Sequence, residues 1–244
     1  MAVSYLITST GDAMASNTHL QGHTMTAYDN DLKHITETVR SMRKDVVDLL
    51  DLQKQVLAEG QKSKDKAADK VIRERAEALF QACREHNDAL EPHITNVLAL
   101  RSPMAVDLRF LQAATRISTI LERMSDIAAK NILRLTEITS LDNSDFVSTL
   151  DAMTALTIKM VKNSTKGFGR FDPDQADKVW AREEEVDALA AKGFDILQHG
   201  MEADSGFIPS GMTLLHVLKN TERCGDYATH ITKQVHYVSP REDA

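Results

Sequence analysis

The segment Leu121-Glu122-Arg123-Met124-Ser125-Asp126 returns 100 residues later as Thr221-Glu222-Arg223-Cys224-Gly225-Asp226, and this duplication restricts the fold more than any other feature. A chain of 244 residues carrying it is read as two copies of one unit. Each copy has to bury its own apolar surface, and the apolar residues recur with a helical period. Leu32, Ile35, Val39, Met42, Val46 and Leu49 alternate steps of three and four, which places them on one face of an α-helix. Ten glycines, five prolines and 5% aromatic residues are too few for the turns and strands of a sheet-rich fold.

Punctuation along the chain divides it into six helices. Glu59-Gly60 ends the first, and a second runs from about Lys66 to Arg101 with Pro92 expected to kink it. Ser102-Pro103 reads as an N-cap and first-turn proline for a third helix, through Leu108, Leu121 and Leu135 to Ile138. Leu141 to Ser144 is a short connection. A fourth helix follows from Phe146 to Gly167 and Gly169. Asp172-Pro173 caps a fifth, to about Glu202, and the Gly206 to Gly211 segment turns into a sixth that ends near Val238. The expected architecture is all-α: six long helices as two repeated three-helix bundles packed side by side. The organisation is a loose polar arm over 1–27, a first repeat over 28–139, a second over 140–239 and a tail over 240–244.

A formal net charge of -7 argues against broad attraction to nucleic acid or an anionic membrane. Two cysteines give no disulfide framework, and no apolar run approaches the roughly 20 residues needed to span a bilayer. Met1 to Leu6 lacks a basic leader and is read as retained. The expectation is a soluble, cytoplasmic chain.

Chemistry is concentrated in the repeated phrase. Glu122 and Asp126, like Glu222 and Asp226, are four residues apart and share one helix face. They fall beside or opposite the apolar stripes of their helices, so they should be exposed. Two readings stay open, an ordinary solvated acidic face or a pair of cation sites. Carboxylate oxygens suit Mg or Mn and can hold Fe, and a histidine would improve the site for a transition metal such as Zn. His230 lies one turn beyond Asp226, whereas Lys130 takes that place after Asp126 and would repel a cation. The second motif is therefore expected to bind metal more tightly. Asp187, with Glu184, answers to Asp88 and Glu85 one residue out of step, and Glu77 competes with Asp88 for that role. Cys224 lies on the apolar stripe and reads as a core residue, and the other histidines form no ligand pairing. No phosphate-loop, dinucleotide or nucleophile motif occurs.

Tyr28-Asp29-x-Asp31-Leu32, Ser102-Pro103-Met104-Ala105-Val106-Asp107-Leu108-Arg109, and the two Glu-Arg-x-x-Asp phrases together resemble the PhoU family of phosphate-signalling regulators, over about Thr26 to Val238. The resemblance implies two similar three-helix bundles, a cytoplasmic location and no catalysis. It also implies negative regulation of phosphate-starvation signalling and modulation of phosphate uptake. The partners it implies are a phosphate ABC transporter ATPase, a sensor histidine kinase and a second copy of the chain as a homodimer. By position, the family's metal-holding acidic motifs fall on Glu122, Asp126, Glu222 and Asp226, with Asp88, Asp187 and His230 as further candidates. Two other functions compete: a carboxylate-rich bundle for metal storage or redox chemistry, and an accessory protein of another phosphate carrier.

Overall fold

The computed structural model describes residues 26–60, 66–138, 143–168 and 174–238. All regular structure among them is helical: α1 (Thr26–Gly60), α2 (Lys66–Arg101), α3 (Val106–Glu137), α4 (Ser144–Lys166), α5 (Asp174–Ala203) and α6 (Ile208–Val238), with a 3-10 turn at Ser205–Phe207 before α6. The stripe of α1 is buried as its spacing requires, from Leu32 through Leu49. Thr26 and Ala27, assigned above to the arm, already belong to α1. Residues 1–25, the tail and the Asp172-Pro173 cap lie outside the described residues.

Helices α1, α2 and α3 pack on one another, as do α4, α5 and α6. Contact between the halves runs along two seams, α1 on α4 and α3 on α6, while α2 and α5 pack only within their own halves. This explains the patterning of each helix. α3 touches three neighbours and buries a broad face that includes Phe110, Ile117, Leu121, Met124 and Ile132. α2 touches two and buries a narrow line of Ile72, Ala76, Cys83, Leu90, Ile94 and Val97.

Where the halves meet, the interior turns polar. Gln53 Nε2 of α1 donates to Thr154 Oγ1 of α4 at 3.0 Å and to Thr221 Oγ1 of α6 at 3.2 Å. Asn131 Nδ2 of α3 donates to Gln53 Oε1 at 3.0 Å, and Asn220 Nδ2 of α6 donates to Asn131 Oδ1 at 2.9 Å. Gln53, Asn131, Thr154 and Thr221 are wholly inaccessible to solvent. Buried amides and hydroxyls are costly unless paired, so this layer holds only when all four inner helices are in register.

The joint between α2 and α3 differs from the expected cap. Ser102 and Ala105 both adopt positive φ, 48° and 49°, and α3 begins at Val106. Neither side chain caps it. Asp107, in the first turn and buried, lies against Tyr28. Burial and then the Asp107 charge push the Tyr28 phenol well above its ordinary value. Arg101 Nε reaches Asp31 Oδ2 at 3.4 Å, and His93 Nε2 stands 3.7 Å from Asp31 Oδ1. The family-like segments at Tyr28 and at Pro103 to Arg109 thus lock one end of the first bundle, and those contacts hold a backbone that local propensity disfavours. Pro92 sits on an exposed face, and α2 continues through it at the loss of one backbone hydrogen bond. Asn143 caps α4, its side chain accepting from Phe146 N at 2.9 Å. Gly167 closes that helix. Pro209 falls in the first turn of α6, where a missing N–H costs nothing.

Candidate functional site

The two repeated phrases occupy equivalent turns of α3 and α6, and in each the glutamate faces the outer helix of its own half. Glu122 Oε2 accepts from Asn87 Nδ2 of α2 at 2.6 Å. Glu222 lies close enough to Asp187 of α5 for the two charges to repel. Asn87 and Asp187 are themselves 100 residues apart, so the true counterpart of Asp187 is Asn87. That corrects the pairing of Asp187 with Asp88. Asp88 is exposed, with Arg84 Nε at 3.9 Å, and Glu77 accepts from Gln81, so neither joins Glu122. The glutamates are also less exposed than expected. The Glu222 side chain keeps 25% of its accessible surface, because the outer helix lies alongside it.

In the first repeat the negative charges are already answered. Lys130 Nζ pairs with Asp126 Oδ2 at 2.7 Å, and Asn87 holds Glu122. The place that Glu183 takes in the second repeat is held by buried Cys83 in the first. In the second repeat acids accumulate instead. Burial, then Glu222, Asp187 and Glu183, raise the Asp226 carboxyl above its ordinary value, opposed only by His230. Burial, then Glu222 and Glu183, raise Asp187 in the same way, opposed by Lys219. Lys219 Nζ binds Glu222 Oε2 at 2.7 Å. His230 is exposed on the turn after Asp226, edge-on to Tyr227 with ring centroids 6.3 Å apart.

Asp187, Glu222 and Asp226, with Glu183 behind them, thus form an acidic face between α5 and α6 with less positive charge than negative. Its chemistry suits a hard cation, which would relieve the mutual repulsion. Among the described residues, however, no three His, Cys, Asp or Glu side chains already stand in ligating geometry. A bound ion would take the second oxygen of Glu222 or compete with Lys219 for the first. Sequence reasoning missed Asn87, Glu183 and Lys219, although the 100-residue shift, applied to α2 as strictly as to α3, would have found the first. Cys224 is fully buried beside this face, and burial pushes its thiol up to about 12, so it is a core residue with no thiolate at neutral pH.

No helix of the described residues is long and apolar enough to cross a membrane. A family profile for the PhoU domain matches residues 150–235. A Caulobacter vibrioides protein named phosphate-specific transport system accessory protein PhoU homolog is 34% identical over 231 residues, covering 91% of this chain and 93% of that one. A Zymomonas mobilis protein of the same name is 36% identical over 156 residues, covering 62% of this chain and 66% of that one. The crystal structure of PhoU from Pseudomonas aeruginosa superposes with a TM-score of 0.75 at 21% identity, covering 86% of this chain and 98% of that one. With the duplicated acidic phrase, the six-helix order and a relative matched over nearly its whole length, this chain belongs to the PhoU family.

Proposed function

We propose that the chain is an accessory protein of a phosphate transport system and a negative regulator of phosphate-starvation signalling. In this role it is an adaptor between a phosphate ABC transporter ATPase and a sensor histidine kinase, cytoplasmic and without a catalytic step. The observation that carries this reading is the 34% identity to the Caulobacter vibrioides accessory protein over 93% of its length. An adaptor biases a kinase only by binding its active and silent states with different affinity. We assign a divalent cation, Mg, Mn, Fe or Zn, to the second acidic face, with Glu222, Asp226 and Asp187 as ligands and His230 as an auxiliary one. Glu122 and Asp126 form the weaker site, since Asn87 and Lys130 already satisfy them. A buried di-metal redox centre is disfavoured, because the layer between the halves is lined by amides and hydroxyls and the motif glutamates face the outer helices.

The test is a pull-down of the full chain against the transporter ATPase and the sensor kinase, with metal content measured on each sample. Wild type is compared with Glu122→Ala/Asp126→Ala and with Glu222→Ala/Asp226→Ala. Capture of either partner by wild type supports the adaptor, and loss of metal in the second variant alone supports the assigned site. Capture of neither partner, together with normal starvation-gene expression after gene deletion, would sink the regulatory reading and leave the transport-accessory role.

A further inference from the structure

The α1/α4 seam carries a second charged feature, of opposite sign. Arg40, Arg43 and Lys44 of α1 and Lys162 and Lys166 of α4 line one groove of about 680 Å³. Buried Val47 and the Asn163 amide are also in its lining. The chain as a whole is acidic, with 29 basic against 36 acidic side chains, so five cations around one concavity are not a sample of its average surface. Lys44 is answered by Asp48, with Nζ to Oδ2 at 2.8 Å. Arg40, Arg43, Lys162 and Lys166 make no ion pair among the described residues.

A dipole argument accounts for part of this. Lys162 and Lys166 lie near the C-terminus of α4, where positive charge is favourable. It does not explain why α1 brings two arginines to the same place. The Arg43 guanidinium is half-buried, and burial followed by the like charge of Arg40 lowers its proton affinity. Folding has therefore set Arg43 against the like charge of Arg40, beside Lys162 and Lys166, and left these four without a carboxylate among the described residues, an arrangement that an anion would relieve.

From this groove we propose a binding site for a small polyanion bearing two or more phosphate groups. The volume lies within the range of small-ligand pockets. The cations occupy about one turn of α1 and one of α4, facing each other across the groove, and the four without a carboxylate carry more positive charge than a single phosphate, at about -2, can balance. Guanidinium forks match phosphate oxygens in pairs, and lysines supply point charges at the ends. Because one wall comes from each repeat, the ligand would clamp the two halves together. The inference is independent of the transport reading and of the acidic faces on α3 and α6.

The test is calorimetric titration of the full chain at fixed ionic strength, without divalent metal, with sodium tripolyphosphate, ATP, orthophosphate and citrate. Tripolyphosphate or ATP should bind one to one, at least about 100-fold tighter than orthophosphate or citrate. Equal affinity for tripolyphosphate and ATP identifies an inorganic oligophosphate, and tighter ATP binding a nucleotide; both support the site. Lys162→Gln/Lys166→Gln, at exposed positions where folding is safe, should weaken binding about tenfold or more. Arg43→Lys should also weaken it, since the charge stays and the fork is lost, while Lys192→Gln on α5 should not. Citrate binding as tightly as tripolyphosphate, or unchanged binding in the groove variants, would overturn the proposal.

Discussion

The two halves repeat one acidic phrase on equivalent helices and give it different surroundings. In the first, Asn87 donates to Glu122 and Lys130 neutralises Asp126, so the face is closed by hydrogen bonds within the protein. In the second, positions 100 residues on carry Asp187 and His230, and the carboxyls of Asp187 and Asp226 are both destabilised as anions. A duplicated motif thus says where side chains meet. What they do there is set by the residues of the neighbouring helix, which have diverged.

The same asymmetry reaches the core, and breaking it there has the largest expected effect. Asn131 ties α1 to α6 in the layer between the halves, whereas its counterpart Ile231 is an ordinary core residue; both are wholly buried. Asn131→Ile, which makes the first repeat match the second, leaves Gln53 Oε1 without its donor and Asn220 without its acceptor. The expected cost is about 3 kcal/mol, read by urea denaturation. A loss below about 1 kcal/mol would mean that the layer is not what joins the halves.

The acidic faces come next. If Asn87 and Lys130 close the first site, Asn87→Asp/Lys130→His should open it, and Asp187→Asn/His230→Lys should close the second. With MnCl2 at ten times its Kd, the open form should gain about 1.4 kcal/mol of stability and the closed form nothing. Thermal shift against manganese concentration checks both. An unmodified protein whose melting point ignores manganese would remove the cation from the second face.

The six-helix order and the buried stripe of α1 were legible in the sequence because burial on a helix writes its period directly into the chain. So was the placing of Glu122 and Glu222 on equivalent turns. The partner of Glu122 was not, because local spacing within α2 favoured carboxylates, Glu77 or Asp88, over an amide. The start of α3 departs from its local signal for a related reason. Ser102-Pro103 is a good local start signal, but Asp107 against Tyr28 and Arg101 against Asp31 hold a different turn, and those contacts join residues far apart in the chain. The basic groove leaves no local signature in the sequence, because its cations come from α1 and α4, more than a hundred residues apart.

Asp226→Asn sharpens the electrostatic half of the comparison without metal. A carboxyl with a raised native pKa favours folding most below its unfolded value, near 4, and loses that contribution as pH rises through the native value. At pH 7 the ionised Asp226 therefore opposes folding. Neutralising it should stabilise the metal-free protein by about 0.5 kcal/mol, a figure kept small because the side chain is exposed and screened. The gain should shrink as the pH is lowered through the native value. Asp126→Asn in the first repeat should be neutral or slightly destabilising, since it gives up the Lys130 pair. Melting curves between pH 4 and 8 distinguish the two.

The smallest expected effect tests whether the backbones of the two phrases are interchangeable. Ser125 is buried and donates through Oγ to the Glu122 carbonyl at 2.6 Å, while Gly225 is its counterpart beside Val186. A Cβ built on Gly225 would stand 3.4 Å from Val186 Cγ1 and 3.7 Å from the end of Met160, which is ordinary contact. Gly225→Ser should gain about 0.5 kcal/mol of helix propensity and lose a comparable amount to the closer fit, for a net change below about 0.3 kcal/mol. The new hydroxyl can return to the Glu222 carbonyl as Ser125 does to that of Glu122, so it needs no outside partner. A loss above about 2 kcal/mol would show that α5 and α6 approach more closely than α2 and α3. The glycine would then be a packing requirement of the second acidic face, and its surroundings would differ from those of the first in backbone spacing as well as in charge.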